Sequence, residues 1–209
     1  LEQRQRLLKE LEQVSFDRLI YSAGSYLNER VHKLDKANSD VMLAINLQAF
    51  QQVFVWGSQQ LKSRQVENKT LRNSVSNSTT SPKPSLICIA SIAGTMDYPY
   101  ASLYAKSKRA MIATASAYRL ALMPHDIQVT CIASGYIDTQ ALRDLNNGDA
   151  SHKPFIISTD KAVKLMMQAI DEDVELAIFP KAMRYITRAL NKLPKPLLNR
   201  LLRSKLDKM

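Results

Sequence analysis

A chain of 209 residues, 45% hydrophobic and 23% charged, has the make-up of one globular domain with a real core. Its apolar runs are strand-sized, far short of the ~20 residues that a bilayer-spanning helix needs. The net charge of +10 is concentrated: from residue 179 to the end, nine Lys and Arg meet one acid, Asp207, so that segment carries +8. The rest is close to neutral, which argues against a general nucleic-acid-binding domain.

In chain order, residues 1–14 place apolar side chains at 1, 7, 8, 11 and 14, a helical period with no strand before it. Residues 16–24 (F-D-R-L-I-Y-S-A-G) read as a strand leading into a loop. Asn38 or Ser39 is placed to cap a long helix running to about Arg64. Residues 66–85 are polar, rich in Ser, Asn and Thr, and closed by two prolines. They predict a loop or disordered insertion on the far side of the domain from the chemistry. A short strand at 86–90 follows, then a helix from about Tyr104 to Met123 that Pro124 breaks, then a strand at 127–132. Residues 139–157 suit a mobile flap over a substrate. Ser158 or Thr159 caps a helix to about Ile170, and residues 175–179 form a last strand. Strands alternating with helices predict parallel pairing through βαβ units, four strands in sequential order.

Cys88 and Cys131 both fall in apolar strand-like runs, as buried reduced thiols would, which fits a cytoplasmic compartment. His32, His125 and His152 show no ligand spacing, so no metal site is expected.

The chemistry gathers at Ser91, Tyr104 and Lys108. Residues four apart share a helix face, so Tyr104 and Lys108 present their heads to the same space. A lysine ammonium beside a phenol favours the phenolate and lowers a pKa that is ordinarily about 10. A phenol so tuned can exchange a proton with an alcohol or carbonyl near neutral pH. Ser91 closes the strand at 86–90, where its hydroxyl can hydrogen-bond the same oxygen. The plain alternative is a surface helix with an ordinary Tyr and Lys.

These residues and their flanks resemble the classical short-chain dehydrogenase/reductase family. Residues 19–24 (L-I-Y-S-A-G) resemble its Asn-Asn-Ala-Gly strand end, with Tyr21 and Ser22 in place of the paired Asn. Asn46 stands where the family has its catalytic Asn. Residues 132–139 (I-A-S-G-Y-I-D-T) resemble its Pro-Gly segment, with Ser134 in place of the Pro. The resemblance implies a Rossmann-like, doubly wound parallel sheet and hydride transfer between NAD or NADP and a small-molecule carbonyl or alcohol. It implies that Tyr104 exchanges the proton, Lys108 tunes it and holds the nicotinamide ribose, and Ser91 holds the substrate oxygen. Asn46 would bind a water linking Lys108 to solvent. Ala23, Gly24, Gly135, Ile137 and Thr139 would line the cofactor together with Tyr104 and Lys108. Met96, Tyr98, Tyr100, Leu142, Leu145, Phe155 and Ile156 suggest a fairly apolar substrate pocket, although several could be plain core residues.

The family opens with a strand and a Gly-rich turn that holds the cofactor pyrophosphate at a helix N-terminus. Here the five glycines (Gly24, Gly57, Gly94, Gly135 and Gly148) are scattered, and the chain starts with Leu1. The expectation is therefore the C-terminal portion only of such a sheet, a partial domain over residues 1–180 with its first strands and Gly-rich loop absent, and a homo-oligomer when complete. A different class of reading is a catalytically inactive relative that binds or assembles. Residues 181–209 form a basic extension whose last part is an amphipathic helix, with Leu197, Leu198, Leu201, Leu202 and Leu206 between Arg and Lys. Peripheral contact with an anionic membrane, packing on the domain or a second subunit, and, least, nucleic acid remain open for it.

Overall fold

The computed structural model describes residues 2–27, 29, 34–72, 83–98 and 101–206. The described strands and helices are, in order, α1 (Glu2–Leu11), β1 (Arg18–Tyr21), α2 (Lys36–Leu43), a π-helical turn at Ala44–Ala49, α3 (Phe50–Arg72) and β2 (Ser85–Ile89). A 3₁₀ turn at Ile92–Thr95 leads to α4 (Leu103–Leu122), a second at Met123–His125 to β3 (Gln128–Ser134). Then come β4 (Ile137–Asp138), α5 (Gln140–Asp144), β5 (Ile157–Ser158), α6 (Thr159–Asp171), β6 (Leu176–Phe179), α7 (Lys181–Asn191) and α8 (Lys195–Leu206).

The main sheet has the order β1-β2-β3-β6, every pair parallel. Side chains alternate between faces along a strand. Leu86, Cys88, Val129 and Cys131 meet Phe50, Phe54 and Leu61 of α3 and Met111, Ala115 and Leu122 of α4 on one face. Ile87, Ile132, Ala177 and Phe179 meet Ala162, Ala169 and Ile170 of α6 on the other. Burial on both faces is why 86–90 and 127–132 read as continuous apolar runs rather than as alternating ones.

The four parallel strands fall where the sequence places them. The fold class needs correction. The chain was expected to hold only the C-terminal portion of a doubly wound sheet, its first strands absent, but the parallel sheet starts in the N-terminal region, with β1 at Arg18 just after α1. Each later strand is added on the same side of the last, with no reversal of order among the described strands. Two local expectations shift as well. Asp35, not Asn38 or Ser39, caps α2: its backbone is extended and its carboxylate accepts from the Asn38 N–H at 2.8 Å, a negative group at the positive end of the helix. The helix after the π turn runs to Arg72, so the start of the expected 66–85 insertion is helical. Residues 73–82 of that insertion, Tyr100 of the suggested pocket and His32 lie outside the described residues.

Residues 139–157 are tied down at both ends. β4 and β5 pair in parallel, Ile137 with Ile157 and Asp138 with Ser158. Inside that loop the Asp138 carboxylate accepts two bonds from the Arg143 guanidinium, each at 2.8 Å. A cleft lined by Lys83, Arg119, Asp126, Gln128 and Asp173 opens at the start of β3 and holds none of the candidate site residues. Among the described residues no helix is long and apolar enough to cross a membrane.

Candidate active site

The site is built where β2 and β3 end, the carboxyl side of a parallel sheet. Ser91 lies two residues beyond β2 and caps the first 3₁₀ turn, its hydroxyl accepting from the Ala93 N–H at 3.2 Å. Gly94, within that turn, is pressed on α4: a Cβ there would stand 2.6 Å from the Lys108 carbonyl carbon and 2.7 Å from the Arg109 nitrogen. Only a residue without a side chain permits this approach, and the approach sets Ser91 beside Tyr104. The start of α4 is satisfied twice. The Ser102 hydroxyl accepts from the Ala105 N–H at 3.1 Å, and the Glu29 carboxylate accepts from Leu103 at 2.6 Å and from Tyr104 at 3.4 Å. These caps supply acceptors for three of the four N–H groups that a helix start leaves open.

One turn apart on α4, Tyr104 and Lys108 converge as the spacing implies, with the Lys108 Nζ 5.9 Å from the phenol ring centroid. The electrostatics differ from the expectation. Burial pushes the Tyr104 phenol above its ordinary 10.0; a hydrogen bond with Ser91 pulls it down, and Tyr26 and Tyr136 push it up again. Lys108 is not among the groups that move it. The expected lowering by the ammonium is thus not found, and desolvation of the phenolate sets the direction. Lys108 is itself buried, and burial lowers its pKa against the opposing pull of Cys88 and Cys131. Its Nζ donates to the Ile89 carbonyl at 3.3 Å and reaches the Met111 sulfur at 3.5 Å. Cys88 and Cys131 are register partners on β2 and β3, both free and buried. The hydrogen bond with Cys131 and burial hold the Cys88 thiol well above its usual range.

Asn46 reaches the site from the π-helical turn and is fully buried. Its Oδ1 accepts from the Ser25 N–H at 2.9 Å, and its Nδ2 donates to the Ser25 carbonyl and to the Ser107 hydroxyl, both at 3.0 Å. The Asn46 side chain thus braces the loop after β1 against α4. That brace brings Gly24 to the lysine: a Cβ on Gly24 would lie 3.1 Å from the Lys108 Nζ. Ala23 and Gly24 are exposed beside it.

Gly135, Ile137 and Thr139 follow β3 as expected, but their polar groups are partly spent on local structure. The Thr139 N–H donates to the Ile137 carbonyl at 2.8 Å, and the Thr139 hydroxyl caps α5 by accepting from Leu142. Of the suggested pocket residues, Leu145 and Phe155 are exposed, while Met96, Tyr98, Leu142 and Ile156 are half-buried. Three contributors were not singled out for the site in the sequence. Tyr26 packs edge-to-face on Tyr104 with centroids 4.9 Å apart, Tyr136 acts on the same phenol, and Glu29 caps the helix that carries it. Tyr136 lies inside the 132–139 motif and could have been noticed there; Tyr26 and Glu29 carry no local signal.

For a dinucleotide, the fit can be judged at its nicotinamide end. An ammonium with one hydrogen unspent among the described residues stands beside a backbone left bare by Gly24, a cradle that any side chain there would fill. The donor set suits a ribose diol.

The family model described as short chain dehydrogenase matches residues 2–150. Because the match starts at residue 2, α1 and β1 fall inside the family's pattern, and the reading of the chain as a C-terminal portion alone is set aside. No curated protein is a significant match in sequence. Solved structures share the fold at low identity. A short chain dehydrogenase from Burkholderia cenocepacia J2315, in complex with NADP, aligns with TM-score 0.70 and 19% identity over 96% of this chain and 74% of that one. The bulky-bulky ketone specific alcohol dehydrogenase from Comamonas testosteroni aligns with TM-score 0.65 and 14% identity over 93% and 70%. A short-chain dehydrogenase from Sphingobium yanoikuyae, in complex with NADPH, aligns with TM-score 0.66 and 14% identity over 89% and 67%. With the family's pattern covering most of the sequence, this chain belongs to the short-chain dehydrogenase family.

Proposed function

We propose that the protein is an NAD(P)-dependent oxidoreductase acting on a carbonyl or alcohol of fairly apolar character. The observation that carries this reading is the convergence of Ser91, Tyr104 and Lys108 at the carboxyl ends of β2 and β3, next to the bare backbone at Gly24. A bound nicotinamide supplies or accepts the hydride. The Ser91 hydroxyl orients the substrate oxygen. The phenol of Tyr104, kept in its acid form at neutral pH by burial, gives that oxygen its proton during reduction. Lys108 would hold the ribose hydroxyls and stabilise the phenolate left behind. Ala23, Gly24, Gly135, Ile137 and Thr139 would border the nicotinamide.

A second reading, a catalytically silent relative that binds or assembles, draws on one observation: no two of the five glycines fall within one helical turn of each other. Turnover separates the two. Absorbance of NADH and of NADPH is followed with a panel of aldehydes and ketones of increasing chain length. Oxidation of either cofactor that depends on the carbonyl supports the enzyme. A protein that leaves both unchanged with every carbonyl, and with every corresponding alcohol in the reverse direction, is the silent relative.

A further inference from the structure

The C-terminal helices carry charge and apolar surface that the site does not use. α7 buries Thr187 and turns Tyr185, 60% exposed, to the opposite side, with Ile186, 42% exposed, at the edge of that outward side. Lys181, Arg188 and Lys192 flank that outward side at helical spacing. α8 buries Leu198 on the domain but leaves Leu197 49% and Leu201 42% exposed, with Arg200 exposed between them. Of the three leucines of α8 whose side chains are described, Leu198 alone is buried on the domain. No acid lies between residue 180 and Asp207, and Lys181, Arg184, Arg188, Lys192, Lys195 and Arg200 take part in no ion pair among the described residues.

This face borders the site. α7 begins against Gly135, where a Cβ would lie 3.1 Å from Pro180 and 3.7 Å from Met183. It ends with the Asn191 side chain donating to the Thr95 carbonyl at 2.8 Å, in the turn that Ser91 caps.

We propose that the outward face of α7 and α8 docks on an anionic lipid bilayer. Its substrate, resting on the oxidoreductase reading above, is then a lipophilic carbonyl or alcohol that reaches the site from the bilayer. A bilayer interface answers both halves of the face: basic heads meet lipid phosphates, Tyr185 sits at the headgroup level, and Ile186, Leu197 and Leu201 enter the acyl boundary. Nucleic acid would meet the cations and leave the apolar side chains in water. A second copy would bring +8 against +8.

Vesicle sedimentation tests this with phosphatidylcholine alone and with phosphatidylcholine containing phosphatidylglycerol. The parent is compared with the triple variant Lys181→Ser, Arg188→Ser, Lys192→Ser and the double variant Tyr185→Ser, Ile186→Ser. All five positions are exposed, and thermal melts followed by circular dichroism confirm that the variants fold. The parent should pellet with anionic vesicles and not with neutral ones. Each lost cation should weaken partitioning about fivefold, so the triple variant loses about a hundredfold. The double variant should weaken binding by an amount that salt does not change. Equal recovery with both vesicle types, a stable dimer that ignores vesicles, or duplex DNA bound in place of vesicles overturns the docking. For the substrate, dodecanal in anionic vesicles should be reduced about tenfold more slowly by the triple variant, while soluble propanal is reduced equally by both proteins. An equal rate on dodecanal overturns the substrate inference alone. Vesicle binding with neither aldehyde reduced removes the oxidoreductase reading and the substrate inference with it, and leaves the docking standing.

Discussion

Tyr104 is pulled two ways: burial favours its acid form, and the Ser91 hydroxyl favours its base. Burial wins, so the phenol is raised above 10.0 and remains a proton donor throughout neutral pH. Reduction should therefore be flat from neutral pH upward and fall only beyond the ordinary phenol value, whereas alcohol oxidation, which needs the phenolate, should keep rising with pH. Ser91→Ala removes the hydrogen bond that lowers this pKa, so its alkaline limb should move to higher pH; a pH–rate profile shifted to lower pH contradicts the assignment. Tyr104→Phe should lower turnover at least about a hundredfold while cofactor affinity, read by fluorescence titration, stays near the parent's. Turnover within about tenfold of the parent, a barrier change of only ~1.4 kcal/mol, would falsify the role. Lys108→Ala should damage both readings. The Ser91–Tyr104–Lys108 set was legible because its key pair lies within one helical turn. Glu29 was not legible, because it meets Leu103 from 74 residues away and no local spacing announces that contact.

Between elements, two glycines make a contrast. At Gly94 an added Cβ meets the backbone of α4, which cannot yield, whereas at Gly57 in α3 it meets the ends of the Leu19 and Leu86 side chains, which can turn aside. Gly94→Ala should cost about 2 kcal/mol by forcing the 3₁₀ turn off α4. Gly57→Ala should stay within about 1 kcal/mol, since better helix propensity offsets the crowding. Urea titration of both variants decides the order, and an equal cost for the two removes the argument. Asn46→Ala should cost about 3 kcal/mol, because it leaves buried partners at Ser25 and Ser107 unpaired. The helix positions followed from their apolar periods, but the π turn did not: an extra residue in a helix leaves no mark in composition.

Across the whole molecule, four strands were readable because parallel strands buried on both faces are continuous apolar runs. Their sequential order was readable too, since strands alternating with helices pair in parallel through βαβ units; what was not readable was that the family's pattern already covers α1 and β1, because scattered glycines and a helical first segment carry none of its Gly-rich signal. β1 pairs only with β2 among the described residues, and Ile20 on it is half-exposed. Such a strand can recruit another chain. Ile20→Lys should lower self-association in sedimentation velocity without changing the melting temperature by more than about 2 °C, as expected of a surface substitution. A marked loss of stability instead would mean that Ile20 is held in the fold.

The wide turn at Ala44–Ala49 works as a counting device. An α-helix advances 100° per residue, so one residue more or fewer swings everything after it by more than a quarter turn. Asn46 faces Ser25 and Ser107 while Phe50 and Phe54 face the sheet only because the turn absorbs one extra residue between those two demands. Point substitutions along α3 are therefore tolerated case by case, but a single-residue deletion anywhere in 44–49 forces a choice between keeping the brace and keeping the core.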